Sequence, residues 1–234
     1  MTWGVSGVNI PPFDFGHPMF LISREMSRLE VKTMTAEEIL ESRDFKQCRE
    51  FHGHLCPGLS LGYKAAQAGM DLLQERRSED EEVVAIVETD ACCADAVQVL
   101  TGCTFGKGNF IYRDYGKMAF TFFSRSSGWG IRLSLKSGAF EPDEEHRSLL
   151  QKVINDQASD QERQRFETLH FQRSCDILAA SAKDLFDIRD VQEELPEKAR
   201  IAPSVSCGFC GEPTMSTKMV SLEGKQVCRA CAGG

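Results

Sequence analysis

The chain has 234 residues, of which 41% are hydrophobic and 26% are charged, so it can bury a packed core and is neither a short peptide scaffold nor a disordered chain. Its formal net charge of -8 opposes general binding to nucleic acids and anionic membrane surfaces, because these are also negatively charged. No segment approaches the ~20 consecutive apolar residues of a membrane-spanning helix, and the amino terminus lacks a secretory signal pattern. We therefore expect a cytoplasmic protein.

The amino-terminal part of the chain predicts an arm followed by a helix. About twenty residues rich in Pro and Gly, with aromatic side chains such as Trp3 and Phe13, are expected to wrap over a core or a partner subunit. Thr35 and Glu38 then form a capping-box pattern, since the hydroxyl and the carboxylate can each accept a backbone N–H of the first turn. The apolar spacing that follows predicts one helix over residues 36–51.

The next part of the chain combines helices with strands. Pro57 suits the first position of a helix, which should run through Leu73 with Cys56 as its N-cap residue. A short helix is predicted over residues 95–101 and should end at Gly102. Runs rich in β-branched or aromatic residues, separated by Gly and Ser turns, predict strands at 83–87, 110–112, 118–123 and 131–135.

The spacing after this block returns to a helical period over residues 143–186, and 186–191 could form a last edge strand. Helices flanking consecutive strands predict an α+β fold, with helices packed on a largely antiparallel sheet. We divide the chain into a core domain with its arm over residues 1–192, a polar linker containing two prolines over 193–205, and a small carboxyl-terminal domain over 206–234.

Four cysteines in the carboxyl-terminal domain have the spacing of a tetrahedral zinc site. Two Cys-x2-Cys pairs are separated by seventeen residues, and each pair can turn both sulfurs toward one ion. So few apolar residues follow Pro203 that this domain should need a metal to fold. A pair of redox dithiols and an iron–sulfur site are the alternatives to structural zinc. The predicted ligands are Cys207, Cys210, Cys228 and Cys231.

A second group of metal-binding residue types lies in the predicted core. His52, His54 and Cys56 occupy alternate positions in the connection between two helices, so they can share a face. The amides at the start of the second helix should lower the pKa of the Cys56 thiol, which favours metal ligation or nucleophilic chemistry. Structural histidines are the alternative, and we interpret His17, His146 and His170 as structural or solvated.

Further ligand types follow the first strand. Cys92, Cys93 and Asp95 come directly after it, and the sequence does not decide which of the two cysteines faces the site. Cys103 follows the short helix, and Lys107 lies in a Gly-Lys-Gly turn that does not match a phosphate-binding P-loop. Inert packing for the cysteines, capping for Asp95 and solvation for Lys107 are the alternatives.

Two long motifs resemble one known family. The segments Phe-His-Gly-His-Leu-Cys-Pro-Gly, residues 51–58, and Asp-Ala-Val-Gln-Val-Leu-Thr-Gly-Cys-Thr-Phe-Gly-Lys-Gly-Asn, residues 95–109, together with the terminal four cysteines, are similar to the FmdE family of formylmethanofuran dehydrogenase proteins. The resemblance implies an α+β core that is often dimeric, so that a homodimer is expected, together with a metal-binding pocket and an optional treble-clef zinc finger. Carried over by position, the first motif contributes His52, His54 and Cys56, and the second contributes or adjoins Cys92, Asp95 and Cys103.

The leading functional hypothesis is a metal-dependent accessory protein or enzyme of one-carbon or molybdenum/tungsten-enzyme metabolism. Zinc or a similar ion would be bound in the core by His52, His54, Cys56, Cys92 and Cys103. In an enzymatic version Cys56 and His54 act at the reacting atom, Asp95 moves protons, and Lys107 steadies a small anionic substrate. The chain lacks the Cys-x2-Cys-x2-Cys run of a ferredoxin cluster, so it should not be the complete dehydrogenase.

Two other classes of function compete with this hypothesis. One is a non-catalytic module with a dimeric core, whose zinc finger recruits a protein or, less consistently with the acidic composition, a nucleic acid. The other is a thiol enzyme that uses Cys56 without a metal.

Overall fold

The computed structural model describes residues 34–139, 141–191 and 194–233. The predicted amino-terminal arm and His17 lie outside these residues. Among the helices that are described, none is both long enough and apolar enough to cross a membrane.

Two helices occupy the segment for which one was predicted. Helix α1 (Ala36–Glu41) begins with the predicted capping box, in which the hydroxyl of Thr35 accepts the N–H of Glu38 and the Glu38 carboxylate accepts the N–H of Thr35. Helix α2 (Arg43–His52) starts anew because Ser42 has an extended backbone and its hydroxyl accepts the N–H of Phe45 at 3.2 Å. The prediction of a continuous helix was wrong because a serine hydroxyl can cap a second helix in mid-segment.

Helices α3 (Pro57–Leu73) and α4 (Cys93–Thr101) form the centre of the helical layer. As predicted, α3 begins at the proline and α4 ends at Gly102, which has a φ of +72°. The two helices cross very closely, since a Cβ atom added to Gly62 would lie 2.2 Å from the carbonyl oxygen of Cys93. Glycine is therefore required at this crossing.

The sheet has five strands in the order β2-β1-β3-β4-β5. All neighbouring strands are antiparallel except β1 and β2, which are parallel because α4 crosses over between them. This arrangement confirms the predicted α+β class, and β5 lies at the edge. The strands are β1 (Val83–Val87), β2 (Phe110–Tyr112), β3 (Ala119–Ser124), β4 (Gly130–Leu135) and β5 (Phe186–Val191).

The main core lies between one face of this sheet and the helices. Alternate residues of β1, such as Ala85 and Val87, contribute to this core, whereas Val84 and Ile86 belong to a separate apolar cluster. Three more helices follow β4 and complete the helical part of the described chain up to β5. They are α5 (Glu144–Ile154), α6 (Asp160–Ala179) and α7 (Ala182–Leu185).

The predicted linker is bound to the core over part of its length. The Arg125 guanidinium donates to the carbonyl oxygens of Pro196, at 2.7 Å, and Glu197, at 3.3 Å. The carboxylate of Glu81 accepts the N–H of Ala199 at 3.2 Å. Beyond it, two hairpins form the carboxyl-terminal domain, and the first of their strands begins inside the segment predicted as linker. Their strands are β6 (Ser204–Ser206), β7 (Pro213–Met215), β8 (Met219–Leu222) and β9 (Lys225–Cys228).

Candidate metal centres

Three ligand-type side chains converge in the core. One nitrogen of His52 and the sulfurs of Cys56 and Cys92 all lie within 4.8 Å of one another. They come from the last turn of α2, the N-cap of α3 and the residue before α4. The structure therefore brings together two residues of the first motif and one cysteine that adjoins the second. Of the two adjacent cysteines, Cys92 is the one that faces this group.

Local backbone features bring these helix ends together. Gly53 ends α2 in the left-handed region, with a φ of +95°, and the chain then turns into α3. The sulfur of Cys56 accepts the N–H of Leu59 at 3.3 Å, as expected of an N-cap residue. Gly58 lies against the other cysteine, because a Cβ atom there would be 3.1 Å from that of Cys92. Small residues at the α3–α4 contact thus allow the two thiols to approach each other.

Asp95 orients the histidine of this group. Its carboxylate lies 2.7 Å from Nδ1 of His52, while Nε2 of the same ring lies 3.7 Å from the sulfur of Cys56. A proton held on Nδ1 by the carboxylate leaves the lone pair of Nε2 free to bind a metal. Asp95 is in the first turn of α4 and its carboxylate contacts an imidazole, so its role is not that of a helix cap. We define His52, Cys56 and Cys92 as the core trio.

The prediction of a low pKa for Cys56 was wrong. Burial raises the pKa of this thiol to about 11, although the N–H of Leu59 acts in the opposite direction. Desolvation of the thiolate therefore outweighs the amides of the helix end. A metal ion is the kind of partner that would keep this buried sulfur deprotonated.

Two of the other predicted site residues lie next to the core trio in sequence but are not members of it. His54 is exposed, and its ring stacks on that of His52 with 4.4 Å between the centroids. Cys93 is buried, and its thiol lies 3.8 Å from the sulfur of Met118.

Cys103 and Lys107 lie elsewhere, and the predicted convergence of all the ligand types on one ion does not extend to them. The thiol of Cys103 donates to the carbonyl oxygen of Val83 at 3.3 Å, within the main core. The ammonium of Lys107 donates to the carbonyl oxygens of Ser78 and Glu79, both at 3.3 Å. These contacts are at the start of β1, whereas Cys92 follows the end of that strand, so the lysine stabilises a turn.

The carboxyl-terminal domain contains the second group. Cys207, Cys210, Cys228 and Cys231 offer four sulfurs that all lie within 4.8 Å of one another. Backbone N–H groups point at these sulfurs, and the N–H of Cys228 is the main cause that lowers the pKa of Cys207 to about 6. A four-thiolate set of this kind fits a closed tetrahedral zinc site and is consistent with a zinc finger.

A protein-family model described as "FmdE, Molybdenum formylmethanofuran dehydrogenase operon" matches residues 51–187, more than half of the chain. The chain belongs to the FmdE family. The match includes the core trio and strands β1 to β4, so this FmdE protein carries its candidate core site within the family region.

Two comparisons add to this assignment. A "Probable S-adenosyl-L-methionine-binding protein" of Archaeoglobus fulgidus is 31% identical over 194 residues, which are 80% of this chain and 52% of the relative. The chain thus spans about half the length of that relative. The crystal structure of an FmdE-like protein of tungsten formylmethanofuran dehydrogenase from Syntrophus aciditrophicus covers 87% of this chain and 95% of its own, with a TM-score of 0.54 and 24% identity, and shares the fold.

Removing the carboxylate that orients His52 should weaken metal binding at the core trio. We expect Asp95→Ala to lower the affinity of this site about 10- to 100-fold, as is typical of lost partners of ligating histidines. Asp95→Asn keeps an acceptor and should have an intermediate affinity. Zinc affinity measured by chelator competition checks this, and an unchanged affinity in Asp95→Ala would show that the carboxylate does not support a ligand.

Proposed function

We propose that this FmdE-family protein is a metal-dependent accessory protein or enzyme of one-carbon or molybdenum/tungsten-enzyme metabolism. The observation that carries the proposal is a set of two thiols and one imidazole whose imidazole is oriented by a carboxylate. Catalytic zinc sites typically have three protein ligands and one position for water or substrate, whereas structural sites have four. The core trio matches the first description and the carboxyl-terminal four cysteines match the second.

Each residue around the core trio has a proposed task. His52, Cys56 and Cys92 would hold zinc or a similar ion, which when bound supplies a Lewis acid that polarises an oxygen atom of the substrate or of water. Asp95 holds the proton on Nδ1 of His52 and so fixes the orientation of that ring. His54, which is exposed and stacked on His52, would exchange protons with solvent.

The names of the comparison proteins limit the proposal. The binding of S-adenosyl-L-methionine is named for a relative about twice as long as the matched region, so it does not transfer to this chain. The dehydrogenase chemistry of the family name requires redox cofactors, and the sequence has no ferredoxin-type cysteine run to bind a cluster. A role beside such an enzyme is therefore proposed, and not the complete activity.

Metal analysis of single variants tests the proposal. We expect Cys92→Ala to lose one metal equivalent per chain while the carboxyl-terminal site stays loaded, because two ligands hold an ion far more weakly than three. Cys93→Ala is the matched control, since the neighbouring thiol packs in the main core and should leave the metal content unchanged. Equal metal contents for wild type and Cys92→Ala would overturn the proposed core site.

A further inference from the structure

Two histidines outside the core trio and the four-cysteine group also meet. Nε2 of His146, from α5, lies 3.1 Å from Nδ1 of His170, from α6, and the two rings are nearly perpendicular at 88°. His146 is only 5% exposed. Two of the five histidines of the chain thus aim ring nitrogens at each other from different helices.

We propose that His146 and His170 form a third metal site, for a transition-metal ion that accepts imidazole nitrogen, such as Zn²⁺, Co²⁺ or Ni²⁺. Metal–nitrogen bonds of about 2.0–2.1 Å in a tetrahedral arrangement separate two ligand nitrogens by roughly 3.3–3.4 Å. The observed separation is 3.1 Å, so a shift of a few tenths of an ångström would admit an ion. The packing of α5 against α6 holds both rings without any cysteine.

The protonation of the two rings suits this assignment. Burial lowers the pKa of His146, and burial together with the neighbouring charge of His146 lowers the pKa of His170. Both imidazoles are therefore neutral at neutral pH and offer lone pairs, which is the form that binds metals. The carboxylate of Asp143 near His146 favours a cation at this position, whereas Arg173 opposes it.

The surroundings provide a rigid wall on one side and access on the other. The ring of Phe166 contacts both imidazoles, with centroid distances of 5.5 Å to His146 and 4.7 Å to His170. His170 is partly exposed, so water can complete the coordination. The charge of exposed His54 also acts on His170, which makes this histidine the side chain that could turn to add a third nitrogen.

A direct hydrogen bond between the two imidazoles is the competing interpretation, because 3.1 Å also suits an N–H···N contact. In that case one proton occupies the position assigned to the ion. The two interpretations differ in the number of metal ions bound and in the ligands of the last one.

Cobalt titration of the untagged full-length protein, first stripped of metal, distinguishes them. We expect three equivalents per chain, of which the first two produce the intense absorption of thiolate-to-cobalt charge transfer. The third should bind more weakly and add only ligand-field absorption, because it has no sulfur ligand. Saturation at two equivalents would overturn the proposal.

Variants provide the second readout. His146→Gln and His170→Gln should each abolish the third equivalent and leave both thiolate-containing equivalents in place, with circular dichroism as the check on folding. Cys92→Ala should do the opposite and lose one thiolate-containing equivalent while the sulfur-free one remains, so failure of the core site and failure of the histidine site are separable. A third equivalent that persists in both glutamine variants would show surface binding only and would contradict the assignment.

Discussion

Replacing Gly62 with valine is expected to destabilise the fold by more than about 4 kcal/mol, at the severe end of single substitutions. Even the first carbon of a side chain would lie 2.2 Å from the carbonyl oxygen of Cys93 and 2.6 Å from its Cα, so α3 and α4 would have to separate. Backbone atoms cannot move aside as a flexible side chain can. Because Cys56 begins α3 and Cys92 precedes α4, the same separation should abolish metal binding at the core trio.

Denaturant unfolding of the variant and of a matched control measures this effect. Gly106→Ala is the control, because a Cβ atom there meets no heavy atom within 4 Å and its φ is not in the left-handed region. We expect the control to change the free energy of unfolding by less than about 0.5 kcal/mol. A stable Gly62→Val protein that keeps its core metal would contradict the close helix crossing on which the site depends.

Removing metal should unfold the carboxyl-terminal hairpins while the α+β core stays folded. The buried apolar residues of this domain are Cys207, Val227 and Cys228, of which two are ligands themselves. Such a cluster cannot offset the conformational entropy of about thirty residues, whereas structural zinc sites contribute apparent free energies of about 10–16 kcal/mol. The core has its own apolar cluster between helices and sheet and does not share this dependence.

Hydrogen exchange measured by mass spectrometry, before and after chelation, checks this prediction. We expect peptides from residues 204–233 to lose protection, and peptides from α3 and β3 to keep it. Cys210→Ser should reproduce the loss without a chelator, while Cys175→Ser, which removes a thiol from α6, should not. Protected hairpins in the chelated protein would mean that packing alone stabilises them.

Most of the fold could be predicted from patterns that report local physics. The β-branched run of β1, the proline that starts α3 and the glycine that ends α4 each have one dominant local cause, and the structure agrees with them. Ser42 shows the limit of such reasoning, because its hydroxyl can either face solvent in a continuous helix or cap a new one. The apolar spacing is the same in both cases.

The core trio was predictable only in part. His52 and Cys56 were identified because ligand types at alternate positions of one connection are difficult to explain as packing. The choice of Cys92 over Cys93 depends on how α4 is rotated against α3, which residue spacing does not report. Cys103 was grouped with them because it also follows a core element, but it contacts the opposite end of β1.

Crystals of the zinc-loaded protein would show directly whether the core trio binds a metal, through anomalous difference maps measured on both sides of the zinc absorption edge. We predict one peak among the four cysteines of the carboxyl-terminal domain and a second peak bounded by His52, Cys56 and Cys92. A fully occupied carboxyl-terminal peak with no zinc signal between those three residues would contradict the proposed core metal site.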